Sequence, residues 1–387
     1  MTPTRKTRGM TEHLEVIDDP RTGKNIRHTL KDIVLLSVCG VIAGNESWDE
    51  IEEYGIWKEQ WLKKFLELPN GVPSHDTLRR VFTRIKPEQL EIMFREWTKE
   101  LYLNHKDPEQ KSLIAIDGKT LRRSHDRYHN QSAAHLVSAW LSDHSLVLGQ
   151  VKTDEKSNEI TAIPELLEAL EIQDSVITID AMGCQSTIAT LIKKKNADYI
   201  LAVKDNQKQI HEQLKWFFDD IQLPSDVDTG LVNHETTFTK DHGRIERRDY
   251  LISSEIDWMA KELEGFPDVK SIGMSRCRRT VGNKTSVEKR YYITSLDPDC
   301  ELFMKAVRSH WGIENKVHWV LDMVFREDES RMRTGHLATN MSVLRRIAMN
   351  VVRRDATSKK SLKLRRKIAF MRDDYLEQLL FSPDPIT

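Results

Sequence analysis

Residues 113–124 read LIAIDGKTLRRS, an apolar run that ends abruptly in Asp117, with Lys119, Arg122 and Arg123 close behind. A short apolar run bounded by polar residues predicts a buried strand, here SLIAID over 112–117, that carries one carboxylate to its C-terminal end. Downstream, SAAHLVSAWL (132–141) and LVLGQVKT (146–153) predict two further strands, with links short enough for hairpins. The order then alternates. A helix in ITAIPELLEALEI leads to the strand SVITIDA (175–181), one in STIATLIKKKN leads to DYILAVK (198–204), and NQKQIHEQLKWFFDDI supplies another helix.

Three antiparallel strands followed by two parallel ones with helical crossovers give the scheme β-β-β-α-β-α-β-α. That order is characteristic of the ribonuclease-H-like fold: an α/β architecture with a mixed five-stranded sheet, strand order 3-2-1-4-5, and flanking helices. In such a sheet the first and fourth strands are parallel neighbours, so Asp117 and Asp180, each closing an IAID or ITID run, emerge at one edge. Two carboxylates at close range repel unless a cation lies between them. An all-oxygen site suits Mg²⁺, and two such ions activate the attacking oxygen and neutralise the leaving oxygen in phosphoryl transfer. Taken singly, a strand-end aspartate is more often a cap or turn former.

A third ligand is expected from a helix, and Glu314 in SHWGIENKVHW is the candidate. At helical spacing His310, Glu314, His318 and Asp322 form one stripe. The competing zinc reading is weaker, because His310 and His318 stand eight apart, roughly 12 Å along a helix axis, whereas zincin histidines are four apart. Trp311 and Trp319 are expected in the core.

The 387-residue chain has 59 Lys+Arg against 60 Asp+Glu, so net charge alone says nothing about nucleic acid. Distribution is more informative. Residues 331–372 hold 13 lysines or arginines and a single acid, Asp355, a block of the kind that binds phosphates. Cys39, Cys184, Cys277 and Cys300 are far apart with no C-x-x-C pair, which gives no sign of a zinc knuckle or disulfide framework and fits a reducing cytoplasm. The opening residues lack a signal-peptide core, and the run IVLLSVCGVIAG is too short to span a bilayer, so it is expected to be a buried helix. No P-loop, dinucleotide fingerprint or G-x-S-x-G elbow is present.

The expected organisation is a helical N-terminal domain over 1–105, for DNA-end binding, then a catalytic domain over 106–387. Within the latter, a β-rich insertion covers about 223–298 and a basic helical tail about 331–372. In the first domain Trp48, Ile51, Tyr54, Trp57 and Trp61 recur at helical spacing and are expected in the core. Ser74 suits a helix start, and the helix that follows presents Arg79 and Arg80 either as in the second helix of a helix-turn-helix or on an ordinary surface helix. Lys119, Arg122, Arg123, Lys204, His310 and Lys316 are candidate contacts to a nucleic-acid backbone near the acids.

The stretches AIDGKTLRRS, TIDAMGCQ, AVKDNQ and above all HWGIENKVHWVLDMVFREDESRMRTGHLATNMSVLRRIAMN resemble the DDE transposases of bacterial insertion sequences. The resemblance is to the ISAs-type family that includes the H-repeat-associated proteins. It covers almost the whole chain, since DPRTGKNIRHTLKDIVLLSVCGVIAG is similar to that family's associated helical domain. It implies a ribonuclease-H-like domain with Asp117, Asp180 and Glu314 as the metal-binding catalytic triad, and Mg²⁺ as the working ion with Mn²⁺ able to substitute. It further implies hydrolysis at element ends carrying terminal inverted repeats, 3′-hydroxyl attack on target DNA, and a homodimer or larger assembly on DNA, in a bacterial cytoplasm near the nucleoid and not at a membrane. Val307, His310 and Leu321 depart from the Tyr, Arg and Lys that many related transposases place around the third acid. Two alternatives stay open: a DNA-binding remnant that no longer transposes, and a ribonuclease-H-like nuclease.

Overall fold

The computed structural model describes residues 9–23, 26–125, 132–153, 159–223, 225–241 and 243–382. The ends of the two expected domains, 1–8 and 383–387, lie outside the described residues. The strands are β1 (Ser112–Thr120), β2 (His135–Leu141), β3 (Leu146–Lys152), β4 (Ser175–Ile179), β5 (Asp198–Val203), β6 (Asn233–Asp241), β7 (Arg244–Ser253), β8 (Ser271–Val281) and β9 (Lys284–Thr294). They form one mixed sheet in the order β3-β2-β1-β4-β5-β9-β8-β7-β6.

The 3-2-1-4-5 order is therefore present, but the sheet has nine strands, not five. The insertion does not stand apart from it. Strand β9 pairs antiparallel with β5 from Ile200↔Thr294 to Val203↔Tyr291, and β8, β7 and β6 follow as antiparallel neighbours. An open β5 edge would leave a row of unpaired backbone groups, and the inserted strands complete its ladder.

The helices before the insertion are α1 (Leu30–Ala43), α2 (Trp48–Leu62), α3 (His75–Arg84), α4 (Pro87–His105), α5 (Glu159–Ala169), α6 (Ser186–Lys194) and α7 (Lys208–Asp220). Two single turns, α8 (Ser225–Asp228) and α9 (Ala260–Leu263), lie within it. After it come α10 (Cys300–Gly312), α11 (Trp319–Met323), α12 (Leu337–Arg353), α13 (Leu362–Met371) and α14 (Asp373–Phe381). Local chemistry sets several starts: the Thr29 side chain caps α1, Ser47 and Glu50 make a capping box on α2, Ser74 caps α3, and Asp299 caps α10. No helix among the described residues is long and apolar enough to cross a membrane.

The chain forms two compact units. One comprises Met1–Lys106, Gly118–Lys156 and Asn315–Thr387. Its centre is α12, buried along nearly its whole length against α1, α3, α4 and β3. Part of the expected basic tail is interior: Arg331, Lys359, Lys360, Lys363, Lys367 and Arg372 are exposed, whereas Arg345, Arg346 and Arg366 are buried side chains. Their charge is spent inside: Arg346 pairs with Glu327, and Arg366 donates to the Val41 and Val324 carbonyls. Within the same unit Trp48, Ile51, Tyr54 and Trp61 are buried as expected, whereas Trp57 is 82% exposed.

Asn340 on α12 donates to both the Phe82 and Ile85 carbonyls at 2.8 Å, closing the end of α3. Asn340→Ala leaves those carbonyls unpaired away from water, and chemical denaturation is expected to show a loss of roughly 1–3 kcal/mol.

The other unit comprises Asp107–Asp117 and Ser157–Glu314. Its core packs Leu113, Val176, Ile200, Tyr250, Ile252 and Tyr292 with Phe303 of α10. Close packing explains Gly273, where an added Cβ would fall 2.5 Å from the Phe303 ring.

Candidate functional site

Strands β1 and β4 pair in parallel register from Ser112↔Ser175 to Ile116↔Ile179. Asp117 and Asp180 are the next residues on each strand, so the register places them at corresponding positions on the sheet edge. Asp180 also caps the turn Ala181–Gly183, its Oδ1 accepting from the Met182 and Gly183 amides at 3.1 and 3.3 Å. Burial, followed by the nearby Glu159 carboxylate, pushes the Asp180 carboxyl above the ordinary aspartate range.

Glu314 lies in a π-helical segment, Ile313–His318, between α10 and α11. Such wide turns are frequent at functional sites. Asp117 and Glu314 each bring a carboxylate oxygen within 4.8 Å of the other. Asp180 is not one of that close set. Carboxylate oxygens are hard donors, which fit a hard divalent cation such as Mg²⁺ or Mn²⁺.

The π segment changes the expected stripe, because its wider turn rotates the residues that follow relative to those before it. Glu314 is exposed and His318 buried, while His310 is turned to the Thr178 hydroxyl at 3.0 Å. Asp322 pairs with Lys119 at 2.7 Å. Burial, the Arg346 charge and then Lys119 push the His318 imidazole down to about 3.

Around Asp180 and His310 lies a cavity of about 240 Å³, whose lining includes Lys204, His211, Arg290, Tyr291 and Trp311. Trp311 and Trp319, expected in the core, are instead exposed. The Arg290 guanidinium lies 4.2 Å from the Trp311 ring centroid, a cation–π contact. Burial pushes the His310 imidazole down to about 4, so it is neutral at pH 7. Its contribution to stability is complete above the ordinary histidine range and is lost as pH falls through about 4. His310→Asn is expected to reduce the pH dependence of thermal unfolding between pH 6 and 4, which a melting series would check.

The candidate DNA contacts separate into two groups. Arg79, Arg80, Arg122, Arg123, Lys204 and Lys316 are exposed. Lys119 is only 7% exposed and is held by Asp322 at 2.7 Å and Asp328 at 2.9 Å. Its ammonium is engaged inside the protein, so its expected place along DNA is corrected to that of a structural cation. Glu327 and Asp328, which sequence reasoning passed over, supply much of this arrangement. The acid-rich FREDES run was the one available signal.

Residues 108–351 match the family described as Transposase DDE domain, and residues 11–98 match the DDE_Tnp_1-associated family. The chain belongs to the DDE transposase family. All three acids lie inside that domain match. The H-repeat-associated protein YhhI of Escherichia coli K12 is 38% identical over 373 residues, covering 95% of this chain and 97% of its own. YncI of Escherichia coli O157:H7 is 39% identical over 380 residues, covering 96% and 94% respectively. Both bear names that assign them provisionally to the transposases. A piggyBac transposase in a synaptic complex with hairpin DNA aligns over 97% of this chain and 78% of its own at a TM-score of 0.41 and 10% identity.

Proposed function

We propose that this member of the DDE family cuts DNA strands at the ends of an insertion sequence and joins the freed 3′ hydroxyl to target DNA. The observation that carries the reading is the approach of the Asp117 and Glu314 carboxylates within 4.8 Å inside the family's DDE domain. Asp180 is the third member of the triad, and its sheet register supports the assignment. The domain is ribonuclease-H-like, with the β3-β2-β1-β4-β5 order in support.

Asp117, Asp180 and Glu314 would hold Mg²⁺. A bound divalent ion supplies activation of the attacking oxygen and neutralisation of the leaving oxygen. The chain's own residues orient the DNA. Arg122, Arg123, Lys204 and Lys316 meet backbone phosphates near the acids, and Arg79 and Arg80 on α3 bind the element end within the helical N-terminal domain. The protein works on DNA as a homodimer or larger assembly.

The test is cleavage of a duplex that carries the element's terminal inverted repeat, in EDTA, Mg²⁺, Mn²⁺ or Zn²⁺. Nicking at the repeat boundary with Mg²⁺ or Mn²⁺ and none in EDTA is expected. Duplex binding without cleavage in any ion would overturn the enzymatic reading. Activity with Zn²⁺ alone would overturn the magnesium assignment.

A further inference from the structure

We propose that the outer part of the β6–β9 sheet is a second DNA-backbone surface, distinct from the triad and its flanking cations. The proposal rests on the reading that DNA is the partner. Directly paired residues share a face of a sheet, and the register aligns Phe238↔Arg247, Arg247↔Arg278 and Arg278↔Val287 in one row across all four strands. Two guanidiniums therefore stand opposite each other on adjacent strands, an arrangement that is destabilising without a neutralising anion.

Acid on this face is scarce. Asp249 accepts from Arg247 at 3.0 Å and from Arg276 at 3.1 Å, so one carboxylate serves two guanidiniums. Arg278 and Lys240 have no carboxylate partner among the described residues. Alternation along β7 puts Glu246 on the opposite face, where it takes Arg244, Arg248 and Arg279.

Apolar groups lie among these cations. Phe238 is 66% exposed with the Arg247 guanidinium 5.5 Å from its ring centroid, and Ile245 and Val287 are also exposed. Two opposed guanidiniums flanked by apolar side chains, with Lys240 on the same face beside Phe238, fit the phosphates and sugars of duplex DNA, whose major groove admits a β-ribbon. A chain with near-equal totals of acid and base thus concentrates positive charge at one end of a sheet. The occupant it fits is the duplex flanking the cleaved end.

The test is binding of the full chain to a duplex of the terminal repeat with its flank, by fluorescence anisotropy in EDTA at several salt concentrations. Arg278→Gln and Lys240→Gln remove only exposed, unpaired charge, and Arg247→Gln breaks the opposed pair. Lys261→Gln, outside the sheet, is the control. Each of the three variants is expected to weaken binding about tenfold and to lower the salt slope by about 0.9 for each phosphate the protein no longer neutralises, with the melting temperature unchanged for Arg278→Gln and Lys240→Gln. Affinity and slope equal to wild type for Arg278→Gln and Lys240→Gln would overturn the proposal and leave the triad reading intact. No duplex binding by wild type would overturn both. Unchanged DNA affinity with altered oligomeric mass would make the row a contact between copies and overturn the DNA assignment.

Discussion

Alanine at Asp117, Asp180 or Glu314 is expected to cut the rate of strand cleavage at the element end by at least about a thousandfold, because groups that act as one unit fail together. Asp180 provides the sharper case. Its carboxylate does two jobs, accepting the Met182 and Gly183 amides and standing beside Asp117 on the sheet edge. Asparagine is as good a cap as aspartate, since its side-chain oxygen accepts the same amides. Asp180→Asn is therefore expected to melt like wild type and yet to be inactive. If it keeps full cleavage, Asp180 is a turn former and leaves the triad. Asp117→Asn and Glu314→Gln make the same separation of shape from charge, read by cleavage of the duplex and by Mn²⁺ binding to the full chain.

Glu327→Ala is expected to lower the unfolding free energy by about 3–5 kcal/mol, the largest stability effect foreseen. Glu327 and Arg346 are fully buried and paired at 3.1 Å, with Lys119 3.8 Å from the same carboxylate. Removing the acid strands a guanidinium in the interior. Glu327→Leu with Arg346→Met removes both charges, and is expected to recover most of the loss. Urea unfolding of the three chains checks this, and a double variant as unstable as Glu327→Ala would show that the pair is not the source.

The pH dependence has a definite sign. Burial alone would raise the Glu327 carboxyl, but Arg346, Arg345 and Lys119 outweigh it and hold the group below its ordinary value. Its contribution is then complete above the ordinary glutamate range and disappears as pH falls through the depressed folded value. Glu327→Gln is expected to flatten the acid limb of stability against pH, and an unchanged limb would contradict that.

The alternation of apolar runs with amphipathic stretches makes β1 to β5 and their helices legible, since each run is short enough to be one strand and the order permits few topologies. Asp117 and Asp180 stand out for the same reason: an apolar run that stops at an acid marks a strand end. The insertion was legible as strands but not as members of the same sheet, because pairing between β5 and β9 is set by which edge is open, not by any local pattern. Helical periodicity did not reveal the π segment over Ile313–His318. A π turn uses the same backbone and side chains as an α turn, and three-dimensional packing decides between them.

Sequence by itself determined the strand order from β1 to β5, the two strand-end acids and membership of a transposase family, because these depend on local patterning and on which residues stand in a motif. Only the tertiary structure decided which charges face inward. The same guanidinium or ammonium is an internal counterion in Arg346 and Lys119 and an exposed cation in Arg278. A charged side chain enters the interior only when carboxylates or carbonyls come to meet it, and for Lys119 those carboxylates belong to Asp322 and Asp328, about two hundred residues further along the chain.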